Sequence, residues 1–173
     1  SELFKQGLLY QDYKVLWWWP QGGTALSAGE VGQGYKTVDD PSIIVRFAVS
    51  GERDLSLLAW TTTPWTLPSN VALAVHASQP YSTVKLDNGE RVIVASSLRD
   101  KVLKGHTFEV LEERPGSALV GLRYEPPFSY AQPQGGDAYV VIDAEFVTMD
   151  TGSGLVHIAP AFGEDDFRVA KAK

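Results

Sequence analysis

Two short stretches of this 173-residue chain hold most of the side chains that could do chemistry. The first is Trp60-Thr61-Thr62-Thr63-Pro64-Trp65-Thr66-Leu67-Pro68-Ser69-Asn70. It begins as a strand and must leave the sheet near Pro64, whose missing N–H cannot donate to a ladder; Pro68 repeats the interruption. The product is a stiff loop presenting several hydroxyls, each both donor and acceptor, a surface suited to an ester, a ribose or a phosphate. Threonine is also simply a good strand residue, and composition alone does not decide between the two readings. The second stretch runs from Asp150 to Phe167 and carries Ser153, His157 and the run Glu164-Asp165-Asp166. Strand alternation places Leu155, His157 and Ala159 on one face, with Val156 and Ile158 on the other. The Val/Ile face belongs in a core, so His157 should point at the opposite surface or into a cleft. Carboxylates after Gly163 are favoured at a helix start by the helix dipole, whatever their function.

A protein nucleophile is disfavoured. The chain has no cysteine, which removes thiolate chemistry and any disulfide framework. Ser153 and His157 sit four positions apart on one strand, roughly 13 Å at about 3.3 Å per residue, against a hydrogen-bond reach of about 3 Å. His76, His106 and His157 show no metal-ligand spacing such as H-x-x-x-H. His76 and His106 read as ordinary surface or strand histidines.

The remaining elements must position these two stretches. Val38 is followed by the turn signal Asp39-Asp40-Pro41, then Ile43–Val49, rich in β-branched and aromatic residues. Ser50-Gly51-Glu52-Arg53 punctuates before a second strand over Leu55–Trp60, which predicts a hairpin. Val71–Val75 is a short apolar run typical of a buried strand. Tyr81–Leu86 and Glu90–Val94 flank Asp87-Asn88-Gly89, and Asn-Gly predicts a hairpin with a type I′ turn. Helices are few. Ser96 or Ser97 could cap one through Leu103-Lys104, stopped by Gly105. A second opens after Gly163 and runs to Lys171-Ala172-Lys173 without a C-cap signal, as though the chain were cut from something longer. Gln132-Pro133-Gln134-Gly135-Gly136 reads as a loop. The expected fold is mainly β with peripheral helices (α+β), a closed or nearly closed β-barrel in a single domain over 1–173.

Composition narrows the partners. A hydrophobic fraction of 44% and a charged fraction of 21% describe an ordinary globular chain. No stretch approaches the roughly 20 apolar residues that span a bilayer, and the N-terminus lacks a signal peptide's apolar core. The expectation is a cytoplasmic protein with no membrane partner. A net charge of −6 argues against holding long nucleic acid, so contact with RNA should be limited to a short end. The basic run Arg99-Asp100-Lys101-Val102-Leu103-Lys104 reads as a solvated helix face.

Together the two stretches resemble the signature peptides of the editing domain inserted in the class I synthetases for isoleucine, valine and leucine. Thr61 to Pro68 matches the Thr-Thr-Thr-Pro-Trp-Thr-Leu-Pro peptide of the isoleucine branch in full. Val156 to Asp166 matches its Val-His-x-Ala-Pro-x-x-Gly-x-Asp-Asp peptide. The Arg-Pro-Glu-Thr of the valine branch and the Arg-Pro-Asp-Thr of the leucine branch are missing. The likeness, to the connective-polypeptide insertion of a bacterial-type isoleucyl-tRNA synthetase, extends through Gly34-Tyr35-Lys36 and Asp40-Pro41-Ser42-Ile43. One departure stands out. Where relatives often carry a Cys-Pro-x-Cys-Gly-Thr zinc knuckle, this chain reads Trp19-Pro20-Gln21-Gly22-Gly23-Thr24, and the thiolates a zinc would need are gone. Trp17-Trp18-Trp19 either fills the lost site by apolar packing or forms an exposed docking face.

The resemblance implies hydrolysis of valine mischarged onto isoleucine tRNA, with valyl-adenylate as a further substrate. Isoleucyl enzymes are the standard illustration of why a second site is needed: their synthetic site separates isoleucine from valine only about 150-fold, since one methylene carries few kcal/mol. By resemblance, His157 is the wall that excludes isoleucine, and Asp166 takes the substrate's α-ammonium. Thr61, Thr62, Thr63 and Thr66 line the ester and terminal adenosine, with Trp65 as packing and Ala159 in the pocket. The catalytic candidates are Asp166, Thr63 and Thr61. The attacking group is then a water positioned by threonine hydroxyls and backbone groups, aided by the free ribose hydroxyl; Asp166 as general base is the rival assignment. No cofactor is expected for editing, and ATP belongs to the absent synthetic domain. The implied partners are the 3′ CCA end of valine-charged isoleucine tRNA and the remainder of the synthetase chain. A module that only holds the tRNA end, and an insertion with decayed activity, are the competing readings.

Overall fold

The computed structural model describes residues 1–130 and 132–173, which divide into two compact units, Ser1–Val38 and Asp39–Lys173. The smaller unit contains α1 (Glu2–Lys5), a two-stranded ribbon of β1 (Trp18–Trp19) and β2 (Thr24–Ala25), and α2 (Ala28–Gly32). Its best-defined feature is local. Ser27 accepts from the Glu30 amide while the Glu30 carboxylate accepts from the Ser27 amide, a reciprocal capping box that starts α2. In the ribbon turn, a methyl on Gly22 would fall 2.2 Å from the Trp19 ring, so the indole covers the bare Cα of that glycine. Trp17, Trp18 and Trp19 nonetheless remain about half exposed, at 51%, 62% and 48%. Trp19 thus packs on Gly22 while staying half exposed, and Trp17 and Trp18, with Leu26 and Tyr35, edge an open aromatic groove within this unit.

Among the described residues the larger unit is built from eight strands in two sheets. In chain order they are β3 (Ile43–Ala48), β4 (Leu55–Thr61), β5 (Ala72–Val75), β6 (Pro80–Leu86), β7 (Arg91–Ala95), β8 (Phe108–Pro115), β9 (Val140–Asp143) and β10 (Val156–Ile158). Five pair in the order β3-β4-β7-β6-β8 and three in the order β10-β5-β9. The β3–β4 hairpin is antiparallel from Ile43↔Thr61 to Ala48↔Ser56, as the alternating β-branched and aromatic residues predict. The β6–β7 hairpin also forms, but its turn differs from the expected one. Gly89 has φ +89° while Asn88 stays at negative φ, and the Gly89 amide donates to the Leu86 carbonyl at 2.9 Å. This is a type I turn closed by a left-handed glycine, so only one residue needs positive φ rather than two.

Two pairings are parallel, β4 with β7 and β5 with β9. The sheets are stitched on one side by isolated bridges, Val49↔Tyr124 and Arg123↔Val140. On the other side β10 lies beside β4. The strands therefore wrap around one main core, in which Phe47, Leu57, Leu73, Tyr81, Ile93 and Leu119 are fully buried. Phe47 meets the edge of the Tyr124 ring at a centroid distance of 5.2 Å. Mainly β with peripheral helices is the architecture found, although the regular ladders form two sheets rather than one continuous ring among the described residues.

The helices are peripheral and short. α3 covers only Arg99–Val102, with Leu98 at its N-cap and no side-chain cap. The expected serine cap fails because the helix starts later: Leu98 holds the N-cap position, beyond Ser96 and Ser97, and the Ser96 hydroxyl lies 2.8 Å from that of Ser82. The helix stops at Val102, short of the expected Leu103-Lys104, with Leu103 as its C-cap and a turn through Gly105 (φ +92°) following. α4 runs from Glu164 to Ala172 behind Gly163, where the sequence places it. No helix among the described residues is long and apolar enough to cross a membrane.

Candidate active site

The threonine-rich stretch leaves β4 at Thr61 and turns at once into a 3-10 segment over Pro64–Ser69. Pro64 suits the first helical position because its absent N–H would be unpaired there anyway. The Thr66 and Asn70 amides donate to the Thr63 and Leu67 carbonyls, both at 3.0 Å. Hydroxyls reinforce the turn. The Thr63 amide donates to Thr61 Oγ1 at 3.0 Å, and the two hydroxyls lie 3.3 Å apart. The far end is pinned in the core, where Asn70 donates to the Ala72 carbonyl and accepts from the Tyr124 hydroxyl at 2.6 Å. Burial holds that phenol well above its usual pKa, so it remains a donor.

The second stretch reaches the same place from the other side. Gly152 and Gly154, both at positive φ, take the chain close against Trp60 and Ala95, where added methyls would fall 3.0 and 2.3 Å from their side chains. β10 then pairs with β5, His157 opposite Leu73. The expected split of β10 into a core face and an open face holds only in part. Leu155, His157 and Ala159 are buried as well as Ile158, because sheet contacts cover both sides. His157 therefore lies in a cleft wall rather than on a surface.

These walls enclose one cleft of ≈ 430 Å³. Thr61, Thr62, Thr63, Trp65 and Thr66 line it from the first stretch, and His157, Ala159 and Asp166 from the second. All eight sequence-derived site residues converge. Trp60, Val156, Phe162 and Gly163 complete the lining and were missed by sequence reasoning. Phe162 had a legible signal: a large apolar residue in the Ala-Pro-Ala-Phe-Gly turn, and it stands 59% exposed at the rim with Trp65 at 72%. Ser153 is not in the lining; it is buried with its hydroxyl on the Leu155 carbonyl. His76 is held by Ser78, and His106 is exposed.

A side-chain hydrogen bond joins the two stretches. Thr66 Oγ1 and His157 Nε2 are 2.8 Å apart, across 91 residues of sequence. The Thr66 hydroxyl has one proton, and it donates that proton to the Thr63 carbonyl at 2.8 Å. In the Nε2–H tautomer the ring then donates to Thr66 Oγ1 and Nδ1 is left as a lone-pair acceptor. That acceptor is buried without a partner among the described residues. Burial also lowers the His157 pKa, so the ring is neutral at neutral pH.

Asp166 supplies the cleft's carboxylate. It sits in the first turn of α4, and its Oδ2 accepts from the Ala159 amide at 2.9 Å. Burial pushes its pKa up, the Ala159 bond pulls it back, and the neighbouring charge of Asp165 adds to the rise. A half-buried carboxylate with no ion-pair partner among the described residues, beside hydroxyls and a neutral imidazole, favours a small cationic ligand with hydrogen-bonding oxygens. Among the described residues no three His, Asp or Glu side chains converge as a metal cluster would require.

This arrangement belongs to a known class of fold. The structure superposes on that of GlLeuRS-CP1 with a TM-score of 0.64, at 18% identity over 76% of this chain and 59% of that one. The cytosolic leucyl-tRNA synthetase editing domain of P. knowlesi gives a TM-score of 0.60, at 14% identity over 76% of this chain and 64% of that one. The fold is that of the editing insertion of class I aminoacyl-tRNA synthetases. No family model matches the chain.

Sequence relatives carry the assignment further. The chain is 46% identical over 171 residues to the isoleucine–tRNA ligase of Clostridium acetobutylicum, and 48% identical over 171 residues to that of Bacillus thuringiensis. Each match covers 99% of this chain and 16% of the relative, so the chain spans about one-sixth of those enzymes. The resemblance to the editing insertion of a bacterial-type isoleucyl-tRNA synthetase, read from the two peptides, is borne out in sequence and in fold.

Proposed function

We propose that this chain is an editing hydrolase that cleaves the ester of valine mischarged onto isoleucine tRNA, acting on the 3′ CCA end as part of a longer synthetase. The observation that carries the proposal is the shared cleft, in which threonine hydroxyls, a neutral histidine and one carboxylate face a space of ≈ 430 Å³. In this reading the α-ammonium of the substrate pairs with Asp166, whose charge is otherwise poorly compensated. The hydroxyls of Thr61, Thr62 and Thr63 hold the ester and the terminal ribose. His157 closes the side-chain pocket, and because Thr66 holds it the ring cannot readily swing aside for a larger side chain.

Water adds to the ester carbonyl carbon, and the bond to the ribose oxygen breaks. The ribose oxygen takes up a proton, valine leaves as its carboxylate, and one proton passes to solvent. An aminoacyl ester is already activated, so orientation supplies much of the rate. Asp166 is assigned to the ammonium rather than to the water. Pairing with that cation lowers its pKa and with it the basicity that burial confers. No cofactor enters, and ATP serves the synthetic part of the longer enzyme.

The test is deacylation of isoleucine tRNA charged with either amino acid. Valyl ester should be cleaved well above the buffer rate and isoleucyl ester spared, while His157→Ala should begin to cleave the isoleucyl ester. A chain that cleaves neither ester faster than buffer would reduce the domain to a holder of the tRNA end.

A further inference from the structure

Gly163 occupies a position where its own backbone does not ask for glycine. Its φ of −138° and ψ of 138° are ordinary extended values open to any residue. As the N-cap of α4 it makes no side-chain bond to the helix. Ser, Thr, Asn or Asp would supply one, and they are the preferred residues there. The sequence therefore forgoes a cap at the helix that carries Asp166.

The reason lies in what a side chain would meet. A Cβ at Gly163 would fall 2.9 Å from Asp166 Cγ, 3.0 Å from Oδ1 and 3.2 Å from Oδ2. The three nearest atoms all belong to one carboxylate, which thus lies flat against the bare Cα. In that pose Oδ2 accepts from the Ala159 amide, tying the end of β10 to the start of α4 across the 160–163 turn. A methyl would displace the movable carboxylate, not the backbone. The chain should still fold, with the acid turned out of place.

Resting on the editing reading above, we infer that Gly163 is a positioning residue: its missing side chain seats the Asp166 carboxylate against the helix start, aimed at the substrate's ammonium. It acts through Asp166 and need not touch the substrate.

Two measurements on Gly163→Ala test this. The first is the Ala159 amide resonance, followed by NMR through an acid titration. In the unsubstituted chain it should lie downfield and move as Asp166 protonates; in Gly163→Ala both features should be lost, with the thermal midpoint nearly unchanged. An Ala159 amide that behaves alike in the two proteins overturns the inference. This readout needs no hydrolysis, so it stands even if the unsubstituted chain proves inactive, which would sink the editing reading alone. The second compares valyl ester with an analogue lacking the α-amino group. KM for the valyl ester should rise about tenfold or more in Gly163→Ala, while the analogue is handled as before. An equal loss for both substrates would mean that Gly163 only keeps space in the cleft, and the positioning role would fall.

Discussion

Replacing Thr66 by valine keeps the shape of the side chain and removes its single hydroxyl. That hydroxyl joins the Thr63 carbonyl and His157 Nε2, each at 2.8 Å. The two losses are unequal. Thr63 is exposed, so water can reach its carbonyl, whereas His157 is buried at 7% exposure and its Nδ1 has no partner among the described residues. A net hydrogen bond contributes about 0.5–1.5 kcal/mol, and a buried polar group left unpaired costs about 1–3 kcal/mol. The His157 term dominates, and the expected destabilisation is about 2–3 kcal/mol. With a urea slope of about 1–3 kcal/mol/M, the unfolding midpoint should fall by about 1 M at pH 7. Selectivity should fall with it. A ring no longer held can yield to an extra methylene, which is worth about 1–3 kcal/mol, or about 10–200-fold, in discrimination. Isoleucyl ester cleavage should rise toward that range in the same variant. A midpoint change below about 0.3 M, together with unaltered selectivity, would show that packing alone holds His157 and that the hydroxyl bridge is incidental.

Asp166→Asn separates function from stability. Because burial raises the folded pKa, the carboxyl's favourable contribution exists below its unfolded value of 3.8 and is lost as pH rises through the folded value. At pH 7 the amide should leave stability equal or slightly higher while cleavage falls at least 100-fold; a loss above about 1 kcal/mol would make Asp166 structural. His157 has the opposite sign. Its folded pKa lies below 6.5, so between the two values the unfolded chain binds more protons, and stability complete above pH 6.5 drains away on acidification. Urea midpoints at pH 7.5 and 5.5 should show this slope in the parent and a shallower one in His157→Asn; equal slopes would count against a buried neutral ring. Tyr124→Phe strips Asn70 Oδ1 of its buried donor and should cost about 1–3 kcal/mol, measured by calorimetry. A cost near zero would mean that water replaces the phenol.

The strands were legible wherever β-branched and aromatic residues cluster, as in Ile43–Ala48 and Leu55–Thr61, because a half-buried pleat selects such side chains locally. Turn chemistry was legible in position but not in type. Asn88-Gly89 marks the bend, yet the Leu86–Glu90 closure lets Asn88 keep negative φ. The serine cap expected for α3 failed because the helix begins only after Leu98, while the Ser96 hydroxyl pairs with Ser82, fourteen residues earlier. Parallel pairing of β4 with β7 and of β5 with β9 was equally out of reach, since it depends on which distant edges remain unpaired. For the site, residue chemistry alone left His157 and the acidic run with ordinary structural readings; the family likeness brought the two peptides together. What neither supplied was the Thr66–His157 bridge, the wall formed by Trp60 and Phe162, and the close seat of Asp166 on Gly163.

The bridge between Thr66 and His157 closes a loop of 91 residues, and most of the larger unit's strands lie within or beside that span. Contacts so distant in sequence form late, after the loop-closure entropy of everything between has been met. A nascent or damaged chain thus cannot present half a working cleft, because the hydroxyls and the acid meet only when the fold is whole. In the editing reading proposed above, late assembly is a safeguard: an incomplete domain is silent rather than indiscriminate.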